Sequence, residues 1–173
     1  QEEASWQGRY DLVGSCSEGL APVKKDEQEF HVHCNDGTPA YVARYDFVDQ
    51  YSENLAVART GNDWFHIRHD GTVAYVARYA KVESCSENRA VVMDKNKKWF
   101  HIDCSTGYPV YSARYEWVFQ YYEGLAAVAA ENGAMFHIDF AGNPAYSERY
   151  NTVDSYREGR ALVSKIQRKI TND

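Results

Sequence analysis

The sequence predicts an all-β repeat protein: five antiparallel β-meanders of about 35 residues in an open, solenoid-like array, with a closed five-bladed, propeller-like ring as the alternative. Three observations carry this. Arg-Tyr recurs at Arg9-Tyr10, Arg44-Tyr45, Arg78-Tyr79, Arg114-Tyr115 and Arg149-Tyr150, at spacings of 35, 34, 36 and 35 residues. Between these marks the apolar residues alternate over short runs rich in Val, Ile, Tyr, Phe and Trp, and helical periodicity is absent. Finally, Gly19, Asn54, Asn88, Gly124 and Gly159 occupy one repeat position, and Gly or Asn accepts a backbone φ above zero at least cost. The units run 9–43, 44–77, 78–113, 114–148 and 149–173 within a single domain, and residues 1–8 complete a preceding unit or the last one.

Each element follows in order, with the second unit as the example. The Arg44-Tyr45 mark is followed by Val48 and Glu53, members of the unbroken series Val13, Val48, Val82, Val118, Val153 and Glu18, Glu53, Glu87, Glu123, Glu158. An eight-residue connection ends at the tight turn that Asn54 marks. A strand over 55–59 and a hairpin turn over 60–63 follow, and a returning strand over 64–69 carries the triplet Phe65-His66-Ile67. Asp70-Gly71 turns the chain into a third strand over 73–79. Residues 4–10 align with that third strand, Trp6 standing where Tyr41 stands, and the fifth unit passes through Ala161-Leu162-Val163 into a degenerate segment over 168–171. Thirty-five residues are short for a four-stranded blade and comfortable for three strands, which favours the open array.

Composition narrows the function classes. With 44% hydrophobic and 14% aromatic residues the 173-residue chain can bury a core. A net charge of -6 opposes a nucleic-acid partner, which needs clustered Lys and Arg. No run approaches the roughly 18 apolar residues that a membrane helix needs, so no membrane insertion is expected. The acidic start Gln1-Glu2-Glu3 is unlike a signal peptide, while the missing initial Met leaves secretion or a larger parent chain open.

The string Glu123-Gly124-Leu125-Ala126-Ala127-Val128, the strand Trp99-Phe100-His101-Ile102-Asp103 and the turn Gly142-Asn143-Pro144-Ala145-Tyr146 resemble the WG β-repeat family, also called KWG repeats. The family's Trp-Gly is here Trp99-Phe100 or Trp64-Phe65, which marks a variant subgroup. The resemblance implies a bacterial, β-rich module found in tandem arrays, and it brings no catalytic residues.

Residue by residue, the repeated positions read as structure. His31, His66, His101 and His137 share one place, but equivalent side chains a whole unit apart cannot converge within about 2.1 Å of a metal. Each is expected to hydrogen-bond a neighbouring unit, and neither metal nor other cofactor is expected. Arg44, Tyr45, Glu53, Arg114, Tyr115 and Glu123 belong to series present in all five units, whereas a catalytic site is normally unique. They read as structural, through an Arg to Glu pair or an Arg fork onto loop carbonyls. Cys16 and Cys85 share one position and Cys34 and Cys104 another; as no Cys-x-x-Cys occurs and alternate units lie far apart, free thiols are expected, favouring a reducing, cytoplasmic setting.

Function is then expected on what differs between units. Trp117, Phe119, Tyr121 and Tyr122 concentrate aromatic character in the fourth unit and are the candidate partner-binding residues. The expected role is a non-enzymatic scaffold binding another protein. The alternatives are a carbohydrate or cell-wall module using aromatics between units, and an accessory domain of a larger enzyme or effector.

Overall fold

A computed structural model describes residues 5–155 and 157–164. It is all-β: five separate antiparallel sheets stand in chain order, and the only helix among the described residues is a 3-10 turn at Trp6–Arg9. Unit 1 contains β1 (Leu12–Val13), β2 (Leu20–Lys25) and β3 (Gln28–His33). Unit 2 contains β4 (Phe47–Val48), β5 (Ala56–Thr60) and β6 (Asp63–Ile67); unit 3 contains β7 (Lys81–Val82), β8 (Arg89–Met93) and β9 (Trp99–Asp103). Unit 4 has β10 (Trp117–Val118), β11 (Ala126–Ala129) and β12 (Met135–Ile138), and unit 5 has β13 (Thr152–Val153) and β14 (Val163–Ser164). The degenerate stretch over 168–171 lies outside the described residues.

The central hairpin of each unit forms where alternation predicts it, Val57 opposite His66 and Ala58 opposite Phe65. Two details differ from expectation. The connection carries a two-residue strand of its own, such as β4 paired to Arg59 and Ala58, too short to show alternation. The expected third strand is only pinned to the hairpin, by bridges Ile67 to Val73 and Trp64 to Tyr79. Between those pins the chain arches away from the ladder, leaving Val76 93% exposed, and the Arg78 guanidinium donates to the carbonyls of Tyr75, Val76 and Ala77 at 2.8 to 2.9 Å. Arg44, Arg114 and Arg149 make the same fork, and each lies over a Phe ring, Arg44 at 3.6 Å from the Phe30 centroid. A planar guanidinium with several donors suits this double task, which a Lys ammonium cannot perform.

The core lies within and between units, with Val32, Ile67, Ile102 and Ile138 fully buried. The repeated Tyr ties the start of each unit to the Gly turn later in the same unit. Tyr10, Tyr45 and Tyr79 donate their hydroxyls to the carbonyls of Gly37, Gly71 and Gly107 at 2.5 to 2.6 Å. Those glycines also lie flat under an aromatic ring: a Cβ on Gly71 would stand 2.4 Å from Tyr41 Cγ, and one on Gly37 would meet Trp6 as closely. Trp6 therefore does the work of Tyr41, although its backbone is a 3-10 turn.

The cysteines correct the free-thiol expectation. Cys16 bonds Cys34 and Cys85 bonds Cys104, with Cα separations of 6.1 and 6.3 Å. The distance between units is immaterial, because each bond lies inside one unit, between its connection and the turn after its returning strand. The free-thiol argument for a cytoplasmic setting falls with it, since such bonds persist in oxidising compartments.

Candidate functional site

Val48, Val82, Val118 and Val153 anchor the short first strands in the core. The residue before each of these valines, and before Val13, points the other way and varies: Leu12, Phe47, Lys81, Trp117 and Thr152. Alternation thus leaves a row of unit-specific side chains along the array. Trp117 and Phe119 are 41% and 40% exposed, their ring centroids 6.3 Å apart, and Trp99 of the preceding unit packs on Trp117 at 4.4 Å. One seam earlier, Phe47 packs on Trp64 at 5.5 Å and the Lys81 ammonium lies 4.2 Å from the Trp64 centroid. A groove of about 460 Å³ opens here, lined by Phe47, Trp64, Lys81, Glu83, Ser84 and Gln120 among others. Burial raises the Glu83 carboxyl above its usual range, partly countered by Lys81. Gln120 donates through Nε2 to the Ser84 carbonyl at 2.6 Å, while its buried Oε1 lacks a partner. The groove thus combines apolar walls with the polar side chains of Lys81, Glu83, Ser84 and Gln120.

Buried histidines hold this row's backbone. His101 Nε2 reaches the Phe119 carbonyl at 2.7 Å, and the equivalent atoms of His31, His66 and His137 reach the carbonyls of Asp49, Glu83 and Asp154 at 2.7 to 2.9 Å. A carbonyl only accepts, so Nε2 carries the proton, and Nδ1 accepts from the hydroxyl of Tyr41, Tyr75, Tyr111 or Tyr146 at 2.6 Å. Burial drives the pKa of His31, His66 and His101 down to about 4. All four rings are therefore fully engaged within the array. Among the described residues no group of three or more His, Cys, Asp and Glu is placed to hold a metal ion.

The four candidate aromatics do not form one patch. Trp117 and Phe119 do belong together. Tyr121 is fully buried, its ring 4.5 Å from His101 and 4.9 Å from Phe140, its hydroxyl donating to the Asp139 carbonyl at 2.7 Å; it is a core residue and leaves the binding set. Tyr122, 39% exposed, lies by the tight turn under Arg157 of the next unit. Trp99 and the Phe47, Trp64, Lys81 group join the surface. Sequence reasoning missed them because it counted the Trp before Phe-His as part of the repeat, although Glu29 and Met135 hold that place elsewhere.

The Glu series has a different partner from Arg. In each tight turn both central residues have φ above zero, 51° and 66° at Glu53 and Asn54, as a type I′ turn requires. Their outward N–H groups meet the carboxylate of the preceding unit: Glu53 accepts from Glu87 and Asn88 at 2.8 and 2.9 Å, and Glu123 from Glu158 and Gly159 at 2.8 and 3.0 Å.

Stacked antiparallel units that spend their shared residues on seams and leave a variable row outside define a β-repeat scaffold. Residues 7–28 match the WG containing repeat, which supports the WG-containing β-repeat family. No curated protein matches the chain in sequence. Among solved structures, the computationally designed Ika8 protein is similar at 11% identity and a TM-score of 0.54, over 84% of this chain and 53% of that one. Hsv2 of Kluyveromyces lactis is similar at 7% identity and a TM-score of 0.53, over 83% and 52%. The WD40 β-propeller domain of Doa1 also matches, at 14% identity and a TM-score of 0.43, over 83% and 55%. The likeness is one of fold, consistent with an open array or a ring, and the chain spans about half the length of these structures.

Proposed function

We propose that the chain is a non-enzymatic scaffold that binds another protein through the row formed by Trp117, Phe119, Trp99, Phe47 and Trp64. The observation carrying this is the exposure of Trp117 and Phe119 at positions where other units hold unrelated residues, on a backbone fixed by His101. Trp and Phe offer large contact area at small entropic cost, and such anchors dominate protein interfaces. A sugar needs a free ring face, whereas Trp99 and Trp117 turn towards each other, so a protein partner fits better than a glycan. Whether a larger enzyme or effector carries this scaffold does not alter the surface it offers.

The test is a crosslinking pull-down with the whole chain and with Trp117→Ala/Phe119→Ala, alongside a glycan array. The expected result is a partner protein retained by the whole chain and weakened at least tenfold by the double variant, with the thermal midpoint nearly unchanged. A partner retained equally by both, or selective glycan binding that the variant abolishes, overturns the reading.

A further inference from the structure

The short first strands have an open edge, and at one seam the chain closes that edge with a carboxylate of its own. In unit 2 the Asp49 amide donates to Val57 of β5, so alternation turns the Val48 N–H away from its own sheet. There it meets the preceding unit, where Glu29 accepts it through Oε2 at 2.9 Å. The hollow at this seam, with Glu29 and Val48 in its wall, is about 160 Å³.

Unit 3 repeats the backbone without the acceptor. Glu83 donates to Val91, so the Val82 N–H turns outward in the same way. The place of Glu29 now belongs to Trp64, since each bridges the Arg-Tyr tyrosine that follows it, Tyr45 or Tyr79. An indole has a donor and no acceptor, so Trp64 cannot receive the Val82 N–H, and nothing else among the described residues does. The groove of about 460 Å³ opens here with Val82 in its wall. Beside it the Lys81 ammonium lies over the Trp64 ring and forms no ion pair among the described residues. Asp49 and Glu83 bring negative charge to the same groove. They do not exclude an acid: at the first seam Asp49 holds the position that Glu83 holds here, and Glu29 reaches Val48 beside it with Phe47 in the place of Lys81.

We propose that the seam between units 2 and 3 takes an acidic side chain of the partner protein, its carboxylate on the Val82 N–H and the Lys81 ammonium and the apolar residue next to it against Phe47 and Trp64. This rests on the reading of the row as a protein-binding surface and names what the partner presents: a Glu or Asp beside an apolar residue in an extended segment, as β3 presents Glu29-Phe30 to the first seam. The arguments for this occupant are the chain's own carboxylate on the equivalent N–H and the charge of an unpaired lysine. At the next seam Trp117 stands in the place of Lys81, so the acid has one seat on this stretch and fixes the partner's register along the row.

Selection of a displayed library of random linear peptides on the whole chain tests this, followed by NMR titration of the isotope-labelled protein with the selected peptide. The expected result is an invariant Glu or Asp beside an aromatic or aliphatic residue, and a downfield shift of the Val82 amide proton that the peptide with Gln or Asn in that place does not give. Lys81→Glu, checked for folding by circular dichroism, should weaken the peptide at least tenfold, and Lys81→Arg should retain it. Trp64→Glu copies the first seam into the second, and should move the Val82 amide proton downfield with no peptide present. Selected peptides without an acid, a Val82 amide that neither the peptide nor Trp64→Glu moves, or unchanged affinity in folded Lys81→Glu would each overturn the inference and leave the protein-binding row standing. A library that yields no binder overturns it as well, and the pull-down with Trp117→Ala/Phe119→Ala then decides separately whether the row stands.

Discussion

Gly124 and Glu123 share the tight turn at the fourth connection, with φ of 77° and 51°. A β-branched residue is poorly tolerated in that region, so Gly124→Val is expected to cost about 1 to 3 kcal/mol. Gly124→Asn should be nearly neutral, because Asn54 and Asn88 hold the same place at φ of 66° and 56°. Thermal unfolding of the pair separates backbone conformation from added bulk, since only Phe140, at 3.7 Å, lies near a Cβ built there. The Gly or Asn requirement was legible because only a few residue types accept such a backbone. The role of Glu was not. An unbroken Glu series beside an unbroken Arg series suggests a pair, whereas the true partner of Glu53 is a backbone turn about 35 residues on, and backbone N–H groups leave no trace in side-chain identities.

At the scale of the element, one site is filled by two chemistries in alternation. Units 1 and 3 close the connection onto the following turn with Cys16–Cys34 and Cys85–Cys104. Unit 2 does so with Tyr51 against His69 at 4.5 Å, and unit 4 with Tyr121 against Phe140 at 4.9 Å. The sequence showed that Cys and Tyr interchange at one position and Cys, His and Phe at another. It did not show that the two positions touch, which needs the hairpin folded and the connection laid across it. Loops of 18 and 19 residues correspond to about 3 kcal/mol each in chain entropy. Reduction is therefore expected to lower the thermal midpoint measurably, and mass analysis of the unreduced protein should find no alkylatable thiol. The short strands beginning with β1 and β4 escaped prediction for a simpler reason: two residues carry no period.

The whole molecule shares its histidines, and this sets its response to acid. His31, His66 and His101 stay neutral in the folded array down to about pH 4, because burial opposes the charged ring. In the unfolded chain the same rings titrate near 6.5. Between those values the unfolded chain binds protons that the folded one refuses, so stability rises with pH through this window. It is complete above about 6.5 and is lost as pH falls towards 4. Three rings on successive seams should make the loss cooperative. Circular dichroism across pH 7 to 4 is expected to show one acid transition inside the window, and a flat profile would mean the rings are not held neutral. The periodic fold was plain in the sequence because the repeat multiplies each weak signal. Which aromatics face solvent was not, since Tyr121 and Tyr122 are neighbours in sequence yet lie one in the core and one beside Arg157.

The carboxylate-to-turn contact has a genealogical consequence. A joint remade every 35 residues from the same groups does not register how many times it has been made. Excising residues 78–113 would bring Glu53 to the turn at Glu123 and Gly124, His66 to the Phe119 carbonyl and Trp64 to Trp117, so that no unfamiliar junction arises. An array of this kind can gain or lose whole periods by simple duplication or deletion of its coding sequence. Each change resets the order of variable side chains along the row while every seam stays what it was.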